Sequence, residues 1–273
     1  MRIAFIGGGN MATALIAGLA GKLLPGSHIH VVDPNEEALG RLASTYGVTT
    51  APAIDNAVGA CDAVVLAVKP QQMRAVAGVL APQLSANPLV LSIAAGIRAA
   101  DLSRWLGGYG AIVRTMPNTP ALIGKGITGM AASDGVSELQ RVAADDIMKA
   151  VGQTVWLDDE ALIDPVTAIS GSGPAYVFYF IEAMQQAAEE LGLSAEQGRQ
   201  LALETFTGAA QLAAQSTDPV TVLRERVTSK GGTTHAAISS MEASGVKAAI
   251  VEGIKAAAHR GRELGEQLGA DGA

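Results

Sequence analysis

Cysteine is scarce in this chain of 273 residues. Its single cysteine, Cys61, excludes an internal disulfide, and a reducing compartment is the natural reading. Cys61 also has no histidine or basic neighbour in sequence to activate it, so it reads as a small buried residue. Aromatic residues make up only 4%, so large rings cannot carry the core; alanine and the 32 glycines must, through close helix–helix and helix–sheet contacts. Positive charge is in deficit, with 19 Lys and Arg against 26 Asp and Glu. That balance argues against nucleic acid or an anionic membrane as a partner. No apolar run reaches the length of a membrane span. The first strand signal starts at Ile3, leaving no room for a leader peptide. The four histidines, His28, His30, His235 and His259, lack ligand-like spacing, so no metal site is expected. The expectation is a soluble cytoplasmic protein whose 49% apolar content supports a sizeable core.

What is present begins at once. Ile3–Ile6 suits a buried parallel strand, and an apolar stretch with helical periodicity follows from Met11 to Leu24. Between them Gly7, Gly9 and Ala12 stand at G-x-G-x-x-A spacing. Gly7 allows the tight turn, Gly9 lets backbone approach a pyrophosphate, and Ala12 lets helix pack on strand. The helix start, with Asn10 and Met11, turns unpaired N–H groups toward phosphate. His28–Val32 reads as a second strand ending at Asp33, about the distance past the glycines at which a carboxylate binds the adenosine ribose. Asp33 equally suits a turn or helix cap, as an Asp-Pro pair allows. No arginine lies near it to receive a 2′-phosphate, which locally favours NADH.

Further strand signals follow at Ala63–Val68, Leu89–Ile93 and Ala111–Thr115, with weaker ones at Ile127–Ala132 and Thr154–Leu157. Strands alternating with helices predict an α/β fold, a doubly wound sheet of Rossmann type over residues 1–160. Ligands bind beyond the carboxyl ends of such strands. The segments Ala67, Val68, Lys69, Pro70; Ala94, Ala95, Gly96; and Pro117, Asn118 should therefore line one crevice. From about residue 161 the pattern becomes all-α, with helices expected at 175–191, 195–214, 234–243 and 246–268. A region of small-residue helices needs a partner to cover its faces, so residues 161–273 are read as a homodimerisation domain.

Within that region stands Thr228-Ser229-Lys230-Gly231-Gly232-Thr233-Thr234, with a helix starting at its end. Two glycines among hydroxyls at a helix start form a nest of backbone N–H groups that suits a carboxylate. The same residues also suit a plain turn with a threonine cap.

Four segments in order, Phe5–Ala12, Val113–Pro120, Ser170–Tyr176 and Leu223–Thr234, make the chain resemble the pyrroline-5-carboxylate reductases. The resemblance implies hydride transfer from NADP(H) or NAD(H) to the C=N bond of L-1-pyrroline-5-carboxylate, giving L-proline. It implies that Ser229, Gly231, Gly232, Thr233 and Thr234 hold the substrate carboxylate, with Thr234 nearest the imine nitrogen as the catalytic candidate. It implies nicotinamide near Ala94–Gly96 and Pro117–Asn118, and homodimers able to assemble into a decamer. The family more often prefers NADPH, against the local reading of Asp33. Three positions depart from its pattern: Lys230 in place of proline, Gly8 in place of alanine, and Ile54 in place of an asparagine, with Asn56 close by. A reductase of another cyclic imine and a 3-hydroxyacid-dehydrogenase-like enzyme are the alternatives; the latter usually needs a lysine that Ser170–Glu190 lacks.

Overall fold

A computed structural model describes residues 1–270. Strands β1 (Ile3–Ile6), β2 (Ile29–Val32), β3 (Thr49–Ala51), β4 (Ala63–Leu66), β5 (Leu89–Ser92), β6 (Ile112–Met116), β7 (Gly126–Ala132) and β8 (Gly152–Trp156) form one sheet. Its order is β3-β2-β1-β4-β5-β6-β7-β8. Pairing is parallel from β3 through β6, because a helical crossover joins successive strands. These crossovers are α1 (Asn10–Leu19), α2 (Glu36–Tyr46), α3 (Asn56–Gly59), α4 (Met73–Leu80) and α5 (Ala99–Trp105). Strand β7 reverses, since only the short turn Thr119–Ile123, closed by left-handed Gly124, separates it from β6. Helix α6 (Glu138–Lys149) then restores a crossover, and β8 runs parallel to β7.

The central strands are buried on both faces, hence their continuous apolar runs. Alternation sends Ile3, Phe5, Val65 and Leu91 into one layer with Leu15 and Ile16 of α1. It sends Ala4, Ile6, Val64 and Leu66 into the other, with Met73 and Leu80 of α4.

Two helices and one strand differ from the sequence reading. Helix α1 stops at Leu19, not Leu24, because Ala20 adopts extended backbone and Gly21 a left-handed turn at φ 73°. The helix expected from Ala175 begins at Gly173. Strand β3 carries no apolar run to announce it; its burial is that of an edge. Helices α7 (Ile163–Val166), α8 (Gly173–Glu190), α9 (Ala195–Gln215), α10 (Val220–Arg226), α11 (Thr233–Ala243) and α12 (Val246–Gly269) complete the chain.

By contacts the chain divides into two units, residues 1–172 with 257–273, and residues 173–256. Residues 161–172 and the end of α12 thus pack with the sheet unit. Arg114 on β6 holds Glu160 and Asp164 at 3.1 and 3.4 Å, and Asn118 donates to the Ser170 carbonyl at 3.1 Å. Gly96 accepts α12 against it, where a Cβ would meet Leu268 at 3.4 Å.

The second unit is built otherwise. In helices α8 to α11, only Gly198 and Ala202 of α9 are buried among the described residues. Helices α8 and α9 pack together, with the Phe180 and Phe206 rings 6.4 Å apart. No helix among the described residues is long and apolar enough to cross a membrane.

Candidate active site

The sheet order changes direction between β1 and β4, and a cavity of about 530 Å³ opens there beyond the strand ends. Gly7, Gly9, Asp33, Ala67, Val68 and Lys69 all line it. Gly7 is required on two grounds. Its φ is +105°, and a Cβ would stand 2.6 Å from the Ala67 carbonyl oxygen. At Gly9 a Cβ would meet nothing within 4 Å, so open space lies over the start of α1.

Helices α2, α6 and α9 begin under side-chain caps from Asn35, Ser137 and Ser194. Helix α1 begins on Gly9 with no such cap. The N–H groups of Gly9, Asn10, Met11 and Ala12 make no hydrogen bond among the described residues. Asn10 is exposed and Ala12 buried against the sheet, as a phosphate-facing helix start packed on a strand requires.

Asp33 is fixed by two backbone donors. Its Oδ2 accepts from Gly8 N at 2.7 Å and its Oδ1 from Asn35 N at 2.8 Å. The helix cap proper is Asn35. The turn-forming and cavity-lining readings of Asp33 therefore hold together, since a carboxylate keeps lone pairs for a hydroxyl beyond these bonds. Lys69 is the sole basic residue lining the cavity among the described residues, and it is exposed.

The remaining predicted residues lie elsewhere on the same sheet edge. Pro70 opens a short turn and does not line the cavity; Gln72 at that turn's end does. Ala94, Ala95 and Gly96 follow β5, and Pro117 and Asn118 follow β6, outside the cavity around Gly7. The Asn118 amide is held at both ends: Nδ2 donates to Ser170 O, and Oδ1 accepts from Ile127 N at 2.9 Å. Gly171 presses on Met116, where a Cβ would come within 2.6 Å. Two of the four sequence segments that carry the resemblance thus meet here. The chain takes a π-helical turn, Thr167–Gly171, closed by Ser172 N to Thr167 O at 2.8 Å.

Sequence reasoning missed one wall. Pro52, Ala53 and Ile54 line the cavity, as do Ala75, Val76 and Val79 of α4. Ile54 stands where the family's pattern has an asparagine that reaches the adenosine ribose. Val79 is 60% exposed on a helix that buries Met73, Ala77 and Leu80, an exposure the sequence does not show.

In the second unit, Ser229–Thr234 joins α10 to α11. Gly231 turns at φ +76°, and α11 starts on Gly232 with no side-chain cap. The capping role open to threonine is thus unfilled. Gly232 N donates to Ser229 O at 3.0 Å, while the N–H groups of Thr233, Thr234 and His235 make no hydrogen bond among the described residues. Ser229, Gly231, Thr233 and Thr234 are exposed, and Gly232 half-buried. This is a second open, positively polarised helix start flanked by hydroxyls, able to hold a carboxylate.

Residues 160–264 match the family described as pyrroline-5-carboxylate reductase dimerisation, and residues 2–96 the one described as NADP oxidoreductase, coenzyme F420-dependent. Over 268 residues the chain is 48% identical to the pyrroline-5-carboxylate reductase of Pseudomonas aeruginosa, with 98% of each chain covered. It belongs to the pyrroline-5-carboxylate reductase family. The solved reductase of Coxiella burnetii superposes with a TM-score of 0.90 at 41% identity, covering 96% of this chain and 98% of that one. The pyrroline carboxylate reductase of Plasmodium falciparum, solved with NADP bound, superposes at 0.86 and 29% identity, covering 97% and 98%. Membership of the pyrroline-5-carboxylate reductase family joins both open helix starts to one architecture, a dinucleotide-binding sheet followed by a helical dimerisation region.

Proposed function

We propose that the chain reduces the C=N bond of L-1-pyrroline-5-carboxylate to form L-proline, using NADPH or NADH. The observation that carries this reading is the pair of uncapped, glycine-started helices, one beneath a dinucleotide-sized cavity and one flanked by hydroxyls. The nucleotide supplies the hydride. In our reading residues 1–160 hold it, and residues 161–273 provide dimerisation and substrate binding.

Gly7, Gly9, Asn10, Met11 and Ala12 receive the diphosphate on backbone, and Asp33 the ribose. Ala67, Val68, Lys69 and Pro70 flank the nucleotide, with Ala94, Ala95, Gly96, Pro117 and Asn118 beside its reactive end. Ser229, Gly231, Gly232, Thr233 and Thr234 hold the substrate carboxylate, and Thr234 donates a hydrogen bond at the imine nitrogen. A threonine hydroxyl is too weak an acid to supply the proton unaided; when the imine arrives already protonated, its N–H donates to Thr234 Oγ1 instead, and the hydroxyl orients that proton. Fixing both reactants in attack geometry removes about 7–11 kcal/mol of barrier in favourable cases.

The working assembly is a homodimer that can build to a decamer, acting in the cytoplasm. Nucleic acid has no place in it. Purified protein should oxidise NADPH or NADH when given the cyclic imine, and proline should drive the reverse reaction at high pH. No oxidation with saturating imine overturns the proposal. Paired kinetics decide the nucleotide; NADPH efficiency more than about tenfold above NADH overturns the ribose role of Asp33.

A further inference from the structure

The cavity wall missed from sequence is held by a residue the reaction does not use. His30, on β2, is only 7% exposed. Its Nδ1 lies 2.9 Å from Thr49 Oγ1, and its Nε2 lies 3.2 Å from Asp55 Oδ1. Thr49 opens β3, and Asp55 caps α3 by accepting from Ala57 N at 3.0 Å. The five residues between them include Pro52, Ala53 and Ile54, which line the nucleotide cavity. One buried imidazole therefore grips both ends of that wall.

We infer that His30 is a positioning residue for dinucleotide binding, clasping Thr49 and Asp55 so that Pro52–Ile54 keeps its place against the nucleotide. The inference rests on the nucleotide-binding reading of the cavity.

Thr49 Oγ1 also donates to the Ile29 carbonyl at 3.3 Å, which ties the hydroxyl to β2 as well as to the ring. Across the sheet His30 stands beside Ala4 of β1, and Thr49 and Asp55 are the side chains that bond to the ring among the described residues.

NADH is the probe, because it lacks the 2′-phosphate that would titrate on its own. His30→Phe fills the space and grips neither flank; its Kd and KM for NADH should rise about 5- to 20-fold with kcat held within about twofold. His30→Gln, with a donor and an acceptor, should recover most of the loss. Thr49→Val, which frees one flank only, gives a smaller rise in Kd and serves if His30→Phe does not fold. Wild-type Kd in folded His30→Phe, or in Thr49→Val if His30→Phe does not fold, overturns the inference. So does a His30→Gln variant that recovers none of the loss seen in folded His30→Phe. A wild-type protein that binds no NADH fails earlier, at the cavity's nucleotide reading itself.

Discussion

The sheet unit and the helical unit solve the problem of burial in opposite ways. In the sheet unit, Ile3, Phe5, Leu15 and Leu91 are wholly inaccessible, and every central strand has cover on both faces. In the helical unit, Phe178, Tyr179, Leu201 and Leu212 are 64%, 73%, 57% and 61% exposed. The sheet unit leaves apolar residues such as Ile123 and Leu139 in water around a packed core, whereas helices α8, α10 and α11 bury no residue at all, which marks a surface to be covered at roughly 25 cal/mol per Å².

The largest effect falls on the sheet unit. Gly7→Val drives a branched side chain into the Ala67 carbonyl at a left-handed position, and dinucleotide affinity should fall at least 100-fold by titration of NADH fluorescence. Retained affinity would mean the cavity beyond β1 is not the nucleotide site.

Thr234→Ala should lower kcat about 10- to 1000-fold while leaving that affinity intact, so the two units separate in steady-state kinetics. Near-normal turnover removes Thr234 from the chemistry.

Phe178→Glu with Tyr179→Glu should leave the sheet unit's thermal transition in place and shift the species in light scattering from dimer toward monomer. An unshifted mass would place the interface elsewhere.

Arg114→Met strips Glu160 and Asp164 of their partner and should cost about 2–3 kcal/mol in urea unfolding, less than a fully buried pair because Glu160 is one-third exposed.

The smallest effect concerns Asp145. Burial raises its pKa, but hydrogen bonds from Lys149, Thr154 and Trp156 and the Lys149 charge outweigh burial and hold it below the usual range. A carboxyl lowered in the folded state stabilises above its unfolded pKa and loses that contribution as pH falls through the folded one. Asp145→Asn should therefore be less stable than wild type at pH 7, and the gap should close as pH falls below the ordinary carboxylate range.

Much of the sheet unit was legible because parallel strands buried on both faces write themselves as apolar runs, as at Ile3–Ile6 and Ala63–Leu66. Strand β3 was not, since Thr49 and Thr50 stand exposed at an edge where no apolar pattern is needed. The glycines at 7 and 231 announced their turns because only glycine sits easily at those φ values. The wall Pro52–Ile54 was hidden because its role comes from a distant histidine, and side chains meeting across strands leave no local period to read. Residues 161–172 pack with the sheet for the same cause: the ion pairs of Arg114 join residues far apart in the chain.

The returning end of α12 bears on how the molecule is made. Gly96 receives Gly265 and Leu268, and Arg104 donates to the Gly269 carbonyl at 2.8 Å. During synthesis the nucleotide-binding body must wait, one flank bare, until the whole helical segment has left the ribosome and the last turns swing home. A ribosome stalled before residue 257 would thus release a body with an open seam, whatever the state of its strands.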